Sequence, residues 1–202
     1  INDDLSIDGN DLLNKMSTKP SIILIINFFG FLADWDKINN LLKSKDCIII
    51  EDNAHSYLDD STSNLNGDYT FNSYRKILPV LSGSMLRKRN NKLHNSCSHT
   101  RTPSYSEIIY SLRQIKSYFT NRSYKNKKIE LNIESNNKID FISNTLLRGY
   151  NFDKSSITDI RQKNYAFWKD YLADKDIVFF SNLEVTKNTC PYVFPCYVKN
   201  KT

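Results

Sequence analysis

Two short apolar runs on either side of an amphipathic helix constrain the fold of this chain more than any other feature. The first run, Ser21–Asn27, is rich in β-branched residues and shows no polar alternation, as expected for a strand buried on both faces. Between the runs, apolar residues at helical spacing predict a helix over Asp34–Ser44, with Asp34 as its N-cap. The second run, Cys47–Ile50, predicts the next buried strand. Residues 21–50 are therefore predicted to form a βαβ unit with parallel strands.

The rest of the sequence carries weaker helix and strand patterns. Further helices are predicted over Asp8–Met16, Ser104–Thr120, Ile139–Leu147 and Ser155–Ala173. Further strands are predicted over Tyr69–Tyr74, Ser84–Arg87, Ile177–Phe180 and Val193–Val198. The strand at residues 84–87 is expected to run antiparallel to the one before it, because only a short turn separates them. The longest helix is expected to open with a Ser cap and to place Tyr165 and Trp168 in the core. Together these patterns predict an α/β fold, with a mostly parallel sheet flanked by helices and a second, smaller sheet.

An acidic and a basic residue are predicted at the ends of two strands. Asp52 lies at the carboxyl end of the strand that begins at Cys47, and the run from Tyr69 ends in Ser73 to Lys76. In a parallel α/β sheet, ligands bind at the carboxyl ends of the strands, so both groups should converge on one crevice. An Asp and a Lys in one cleft suit a pyridoxal phosphate enzyme. There the Lys forms the Schiff base, and the Asp keeps the pyridinium nitrogen protonated.

Several motifs in this region and around it resemble the DegT/DnrJ/StrS family of sugar aminotransferases. The matching segments are Ile50-Glu51-Asp52-Asn53-Ala54-His55, Gly67-Asp68, Ser73 to Lys76, Ser82-Gly83-Ser84, Ser21 to Asp34 and Tyr192 to Asn200. The resemblance is weakest between about residues 88 and 150. Three positions depart from the family pattern. The Ser-to-Lys spacing is three residues rather than five, as in the aspartate aminotransferase branch, the acidic-Gly-Gly turn has become Ser-Gly-Ser, and Asn27 stands in place of a His.

The resemblance implies a fold-type-I aminotransferase. It places residues 1–150 in the cofactor-binding large domain, and residues 151–202 in a linker helix and the beginning of the small carboxyl-terminal domain. The chain would then be an internal fragment. The resemblance also implies pyridoxal 5′-phosphate as cofactor, a nucleotide-linked keto-sugar as substrate, glutamate as amino donor and a homodimer. A dehydratase is disfavoured, because the dehydratases of the family replace the Schiff-base Lys with His.

The resemblance also implies a role for six residues. Lys76 would form the Schiff base, and Asp52 would hydrogen-bond the pyridine nitrogen. Ala54 would lie against the cofactor ring, and Ser73 would bind its phosphate. His55 would contact its phenolic oxygen or the substrate, and Asn27 would contact the phenolic oxygen. Each has a structural alternative as well: a charged strand end for Lys76, a cap or an exposed acid for Asp52, ordinary packing for Ala54, a solvent-facing strand residue for Ser73, a surface position for His55 and a turn cap for Asn27.

Composition and cysteine usage narrow the other possibilities. The formal net charge of +6 is spread along the chain, with modest clusters and no nucleic-acid-binding signature, so the clusters are interpreted as solvated loops. The longest apolar run is too short to span a bilayer, no signal peptide precedes it, and the four cysteines show no paired spacing. A cytoplasmic protein without nucleic-acid or membrane partners is expected. The candidate ligands His94, Cys97 and His99 lack a fourth partner, so no metal is predicted.

Three functions remain open from the sequence. The first is an aminotransferase. The second is a catalytically inactive relative that acts as a structural or regulatory subunit, which the short Ser-to-Lys spacing and the lost glycine favour somewhat. The third is an unrelated α/β domain that binds a nucleotide.

Overall fold

The structure of this 202-residue chain is a computed structural model. The described residues are 1–16, 21–56, 66–89, 100–109, 112–113, 138–149, 153–180, 183–187 and 189–198. The His94, Cys97 and His99 positions lie outside them. Of the helix predicted over residues 104–120, 104–109 and 112–113 fall within them, and 105–109 and 112–113 are helical.

The main sheet has four strands in sequence order. They are β1 (Ser21–Ile26), β2 (Cys47–Asp52), β3 (Tyr69–Phe71) and β4 (Leu86–Lys88). β1 and β2 are parallel, β2 and β3 are parallel, and β3 and β4 are antiparallel. In the first pair the register runs from Ser21 opposite Cys47 to Ile26 opposite Asp52. The predicted βαβ unit and the predicted antiparallel strand are both confirmed.

One face of this sheet is covered by two helices. Helix α1 (Gly9–Lys15) and helix α2 (Trp35–Leu42) are capped by Asp8 and Asp34, whose side chains accept hydrogen bonds from the first turn. The core on this face is formed by Ile23, Ile25, Trp35, Ile38 and Leu42. Burying each such side chain contributes about 1.5–3 kcal/mol, so this layer is the main source of the sheet's stability.

The opposite face of the sheet differs from the prediction. Ile22 and Leu24, which alternate with the core residues of β1, are 71% and 54% exposed, and Ile48 on β2 is also exposed. The expectation that these strands are buried on both faces is therefore wrong for the part of the chain that the structure describes. Period-2 geometry sends alternate side chains to opposite faces, and only one face is covered there.

The segment after β3 is also corrected. The run predicted as a strand over Tyr69–Tyr74 stops at Phe71, and helix α3 (Tyr74–Ile77) follows. The amide of Tyr74 donates to the carbonyl of Gly83, and this bond turns the chain out of the sheet. The helix ends after one turn because Leu78 precedes Pro79 and is extended. Lys76 therefore lies on a helical turn and not at a strand end.

The carboxyl-terminal part contains two longer helices and a second sheet. These elements are α4 (Phe141–Gly149), α5 (Lys154–Tyr171), β5 (Ile177–Phe179) and β6 (Cys196–Val198). β5 and β6 are antiparallel and form the predicted smaller sheet. The domain boundary near residue 150 stays a prediction. No helix within the described ranges is both long and apolar enough to cross a membrane.

Two expectations for helix α5 need correction. Its N-cap is Asp153, whose carboxylate accepts a hydrogen bond from the amide of Ser156, and not a Ser. Tyr165 is buried between Phe31 and Phe194, with ring centroids 5.5 and 4.8 Å away. Trp168, predicted as core, is 45% exposed. It lies three residues further along the helix, on a more exposed face than Tyr165.

Candidate active site

The carboxyl ends of β1, β2 and β3 carry the polar groups that the sequence singles out. Asp52 is the last residue of β2, and its Oδ1 accepts a hydrogen bond from the amide of Ala54 at 2.8 Å. The amide of Asn53 donates to the carbonyl of Phe71 at 2.8 Å, which ties this turn to β3. Within the described residues, Asp52 Oδ2 has no hydrogen-bond partner, so it is available to a ligand.

The structure brings the two predicted polar segments together at one point. Lys76 Nζ lies 3.0 Å from His55 Nε2, although the two residues belong to different elements. Both side chains are half-buried. An amine, an imidazole and a carboxylate therefore meet at the carboxyl end of the parallel strands, where ligands of such sheets bind.

Two aromatic rings lie close to parallel with the imidazole of His55. Tyr192 stacks on it with centroids 4.7 Å apart and planes 12° apart, and the ring of Phe29 lies further away, at 6.2 Å and 10°. Burial and the nearby Lys76 lower the pKa of His55, and Asp52 partly opposes them. His55 is thus neutral at pH 7. Its Nδ1 is buried and, in the described part of the chain, has no hydrogen-bond partner.

Tyr192 reaches His55 because the turn after β1 receives a distant segment. The turn contains Phe29 at φ 56° and Gly30 at φ 93°, both in the left-handed region. The amide of Tyr192 donates to the carbonyl of Phe29 at 2.7 Å. A Cβ on Gly30 would lie 2.0 Å from the carbonyl oxygen of Cys190, so only glycine permits this approach.

Helix α5 supports the same segment from behind. Arg161 donates to the carbonyl of Pro191 at 3.2 Å, and its guanidinium lies 5.7 Å from the centroid of the Tyr192 ring. Sequence reasoning did not assign Tyr192 to the site. It belongs to the Tyr192 to Asn200 match, but no local pattern indicates its contact with His55.

A buried polar network lies beneath the crevice. Asn27 and Glu51 are 0% and 1% exposed, and Asn27 Nδ2 donates to Glu51 Oε1 at 3.0 Å. Asn27 also donates to Asn53 Oδ1 and accepts a hydrogen bond from the amide of Ala33. In this structure its polar atoms all serve the protein, so the predicted contact with the cofactor's phenolic oxygen stays a prediction. Sequence reasoning missed Glu51, whose only signal was its place beside Asp52.

Ala54 immediately precedes His55 in the sequence, and Ser73 lies three residues before Lys76. Ser73 is half-buried and starts helix α3, but its hydroxyl makes no capping hydrogen bond. Ala54 is half-buried in the turn after β2. The roles predicted for these residues, as for Lys76 and Asp52, stay predictions. The structure adds that the hydroxyl of Ser73 is available.

Comparison with solved structures identifies the fold. DesV of S. venezuelae, in complex with a ketimine intermediate, matches with a TM-score of 0.59 at 15% identity over 97% of this chain and 49% of its own. The E. coli GDP-4-keto-6-deoxy-D-mannose-3-dehydratase with bound hydrated PLP gives 0.56 at 18%, covering 98% and 52%. An aminotransferase from Psychrobacter cryohalolentis gives 0.55 at 12%, covering 92% and 49%. No family model and no curated protein sequence matches.

This is the type I fold of pyridoxal phosphate enzymes. The predicted fold is thereby confirmed. The chain spans about half the length of these matched structures.

The side chains in this crevice can be matched to pyridoxal phosphate, which is bound in hydrated form in the E. coli dehydratase structure. Three polar atoms lack protein partners among the described residues: Asp52 Oδ2, the hydroxyl of Ser73, and the buried Nδ1 of His55. Pyridoxal phosphate presents a protonated ring nitrogen, a phosphate and a phenolic oxygen, which suit a carboxylate, a hydroxyl and an imidazole. With Lys76 Nζ beside them, the residues fit the group.

A metal centre has no comparable support. No group of three His, Cys, Asp or Glu side chains in the described ranges could hold a metal ion. The prediction about His94, Cys97 and His99 concerns residues outside those ranges and stays a prediction.

Proposed function

We propose that this chain is part of a pyridoxal-phosphate-dependent aminotransferase that acts on a nucleotide-linked keto-sugar. The observation that carries the proposal is the position of Lys76 Nζ, 3.0 Å from His55 Nε2 in the crevice where Asp52 ends β2. An amine, a carboxylate and a hydroxyl directed at one cleft are the groups needed to hold this cofactor.

Each of these residues has a separate task. Lys76 would attach the cofactor through Nζ, and Asp52 would accept a hydrogen bond from the ring nitrogen through Oδ2. Ser73 would donate its hydroxyl to the phosphate, and Ala54 would leave room for the ring. When bound, pyridoxal phosphate would supply an electron sink that stabilises negative charge on the substrate carbon next to the amino nitrogen. The neutral amine of Lys76 would take up the proton that this substrate carbon loses.

The substrate class follows from proteins with the same fold. One of them, a GDP-4-keto-6-deoxymannose-3-dehydratase, was solved with bound GDP-perosamine. Lys76 favours amino transfer over dehydration, because the dehydratases of the family that the motifs resemble carry His there. Glutamate as donor, a homodimer and a cytoplasmic location are proposed on that resemblance alone.

Trapping of the cofactor tests the proposal. The chain is incubated with pyridoxal phosphate, reduced with borohydride and digested, and the pyridoxyl adduct is located by mass spectrometry. We expect the adduct on Lys76, loss of the adduct in Lys76→Ala, and its retention in Lys88→Ala. Lys88 is an exposed lysine on β4 and serves as the matched control.

The variant Asp52→Asn extends the test to the carboxylate. It keeps a hydrogen bond to Ala54 but lacks the charge, so weaker trapping at limiting cofactor is expected. If the folded protein carries no adduct on Lys76, the aminotransferase proposal fails. The inactive structural or regulatory subunit then becomes the better explanation.

A further inference from the structure

We propose that His55 is the proton acceptor for Lys76, and that Phe29 and Tyr192 hold its ring in the accepting position. The inference rests on the proposed function, since Lys76 is the lysine that would attach the cofactor. It concerns this chain's own residues, however, and applies to any electrophilic carbon that reaches Nζ.

The short contact fixes which atoms take part. Lys76 Nζ and His55 Nε2 are 3.0 Å apart, within the range of a hydrogen bond. A lysine ammonium has only donors, so Nε2 must present its lone pair when Lys76 is charged. The ring proton then lies on Nδ1, which is buried and has no partner among the described residues. His55 can therefore accept a proton only through Nε2.

The transfer is balanced at these two atoms. When the neutral amine of Lys76 bonds to a carbonyl carbon, the C=O π bond breaks, its electron pair moves to the oxygen, and the nitrogen gains positive charge and must lose a proton. The Nζ–H bond breaks, an Nε2–H bond forms, and the positive charge moves to the imidazole. No oxidant, reductant or further reactant is needed for this step.

The surroundings of His55 suit a ring that is neutral at rest and briefly charged. Its charged neighbours are Lys76 on α3, Asp52 on β2 and, behind Tyr192, Arg161 on α5. Burial and Lys76 keep the pKa of His55 below its usual value, so the ring can accept a proton at pH 7. Asp52 and the face of Tyr192 then stabilise the imidazolium.

The rings of Phe29 and Tyr192, here called the aromatic clamp, orient the imidazole of His55. The planes of the Tyr192 and Phe29 rings lie within 12° of the plane of His55, and the stacked Tyr192 ring restricts tilting of the imidazole. Tyr192 is itself held by the hydrogen bond from its amide to the carbonyl of Phe29 and by its contact with Arg161. The segment that leads to the smaller sheet thus positions a group in the crevice of the larger one.

Reductive methylation with formaldehyde and cyanoborohydride tests this without the cofactor. The rate at Lys76 is measured by mass spectrometry from pH 5 to pH 9, relative to the exposed Lys169 in the same molecule. The variants are His55→Phe, which keeps the stack, and His55→Gln, which keeps a hydrogen bond but cannot take up a proton. Tyr192→Ala and Tyr192→Phe test the clamp.

At pH 7 we expect Lys76 to be methylated at least about tenfold faster in the native chain than in His55→Phe or His55→Gln. A tenfold effect is modest for general base catalysis. The advantage should vanish below the lowered pKa of His55, and so below pH 6.5. The faster methylation of Lys76 should be lost in Tyr192→Ala and kept in Tyr192→Phe. If His55→Gln reacts like the native chain, or all variants react alike, the proposal is overturned.

The two proposals fail separately. A pyridoxyl adduct on Lys76 with no dependence on His55 in the methylation assay would sink this inference and leave the proposed function intact. Methylation of Lys76 that depends on His55, without any pyridoxyl adduct, would contradict the proposed function and support this inference. Circular dichroism of each variant identifies one that is unfolded, and His55→Phe and Tyr192→Phe are the pair least prone to that outcome.

Discussion

The carboxylate of Glu51 is the buried charge on which the floor of the crevice depends. It accepts hydrogen bonds from the side chains of Asn27 and Thr70 and from the amides of Asn66 and Gly67. A buried carboxylate is tolerated only when donors surround it in this way. The network connects β2 to β3 and to the turn after β1 next to Asp52, so it helps to fix the position of that residue at the end of β2.

Replacing Glu51 by Gln should disrupt this network. The new amide group would place a donor among four donors, and we expect the free energy of unfolding to fall by about 2–3 kcal/mol. Urea denaturation of the two proteins measures the change. Glu184→Gln, at an exposed position, is the control and should stay within about 0.5 kcal/mol of the native value. An equal effect at both positions would contradict the role given to Glu51.

The turn after β1 is the element that joins the two parts of the chain. Phe29 and Gly30 adopt left-handed backbone angles, and the carbonyl of Cys190 lies against the α-carbon of Gly30. This docking places Tyr192 over His55. Helix α3 contributes from the other side, because its single turn before Pro79 presents Lys76 to the same imidazole.

Gly30→Ala tests this element. Its Cβ would meet backbone rather than a flexible side chain, and its φ of 93° is strained for alanine, so a loss of more than about 2 kcal/mol in unfolding free energy is expected. Gly149→Ala is the matched control, since nothing lies within 4 Å of that position. It should raise stability by about 0.5–1 kcal/mol at most, from helix propensity. Comparable losses in both variants would show that the docking contact is unimportant.

At the scale of the whole molecule, an ion pair between Arg101 and Glu107 stabilises the segment around residue 101, which also bonds to the start of helix α4. Arg101 binds Glu107 through two hydrogen bonds of 2.7 and 2.5 Å, and its backbone bridges to Asp140 and Phe141. The hydrogen bonds from Arg101 lower the pKa of Glu107 to about 2, against the opposing effect of burial. Both side chains are about one-fifth exposed, so solvent screens the pair only partly.

Lowering the pH should therefore reduce the free energy of unfolding over a defined pH range. The pKa of Glu107 is depressed on folding, so its contribution is complete above about pH 4.5 and is lost as the pH falls towards about 2. The contribution is at most on the order of 3 kcal/mol, at about 1.4 kcal/mol per pKa unit. Urea titrations from pH 2 to pH 7 measure it, and Glu107→Gln should flatten the curve in that window. An unchanged slope in the variant would contradict the assignment.

Local pattern was sufficient to predict the βαβ unit, the cap at Asp34 and the smaller sheet. Hydrophobic periodicity and capping chemistry act over a few residues, and these are visible in the sequence. The same patterns placed Asp52 at a strand end and predicted that the segment carrying Lys76 would meet it, because parallel strands direct their carboxyl ends to one edge.

Only the tertiary structure decided what surrounds those residues. The helical turn at Lys76 depends on a hydrogen bond from Tyr74 to Gly83, and the four donors of Glu51 come from the turn after β1, the loop before β3 and β3 itself. The stack of Tyr192 on His55 joins residues far apart in the chain. Such contacts arise from the packing of separate elements, and no local window of sequence specifies them. Local sequence pattern was therefore enough for most elements and for the edge where the polar groups lie, whereas the surroundings of each reactive group arise from the packing of distant segments.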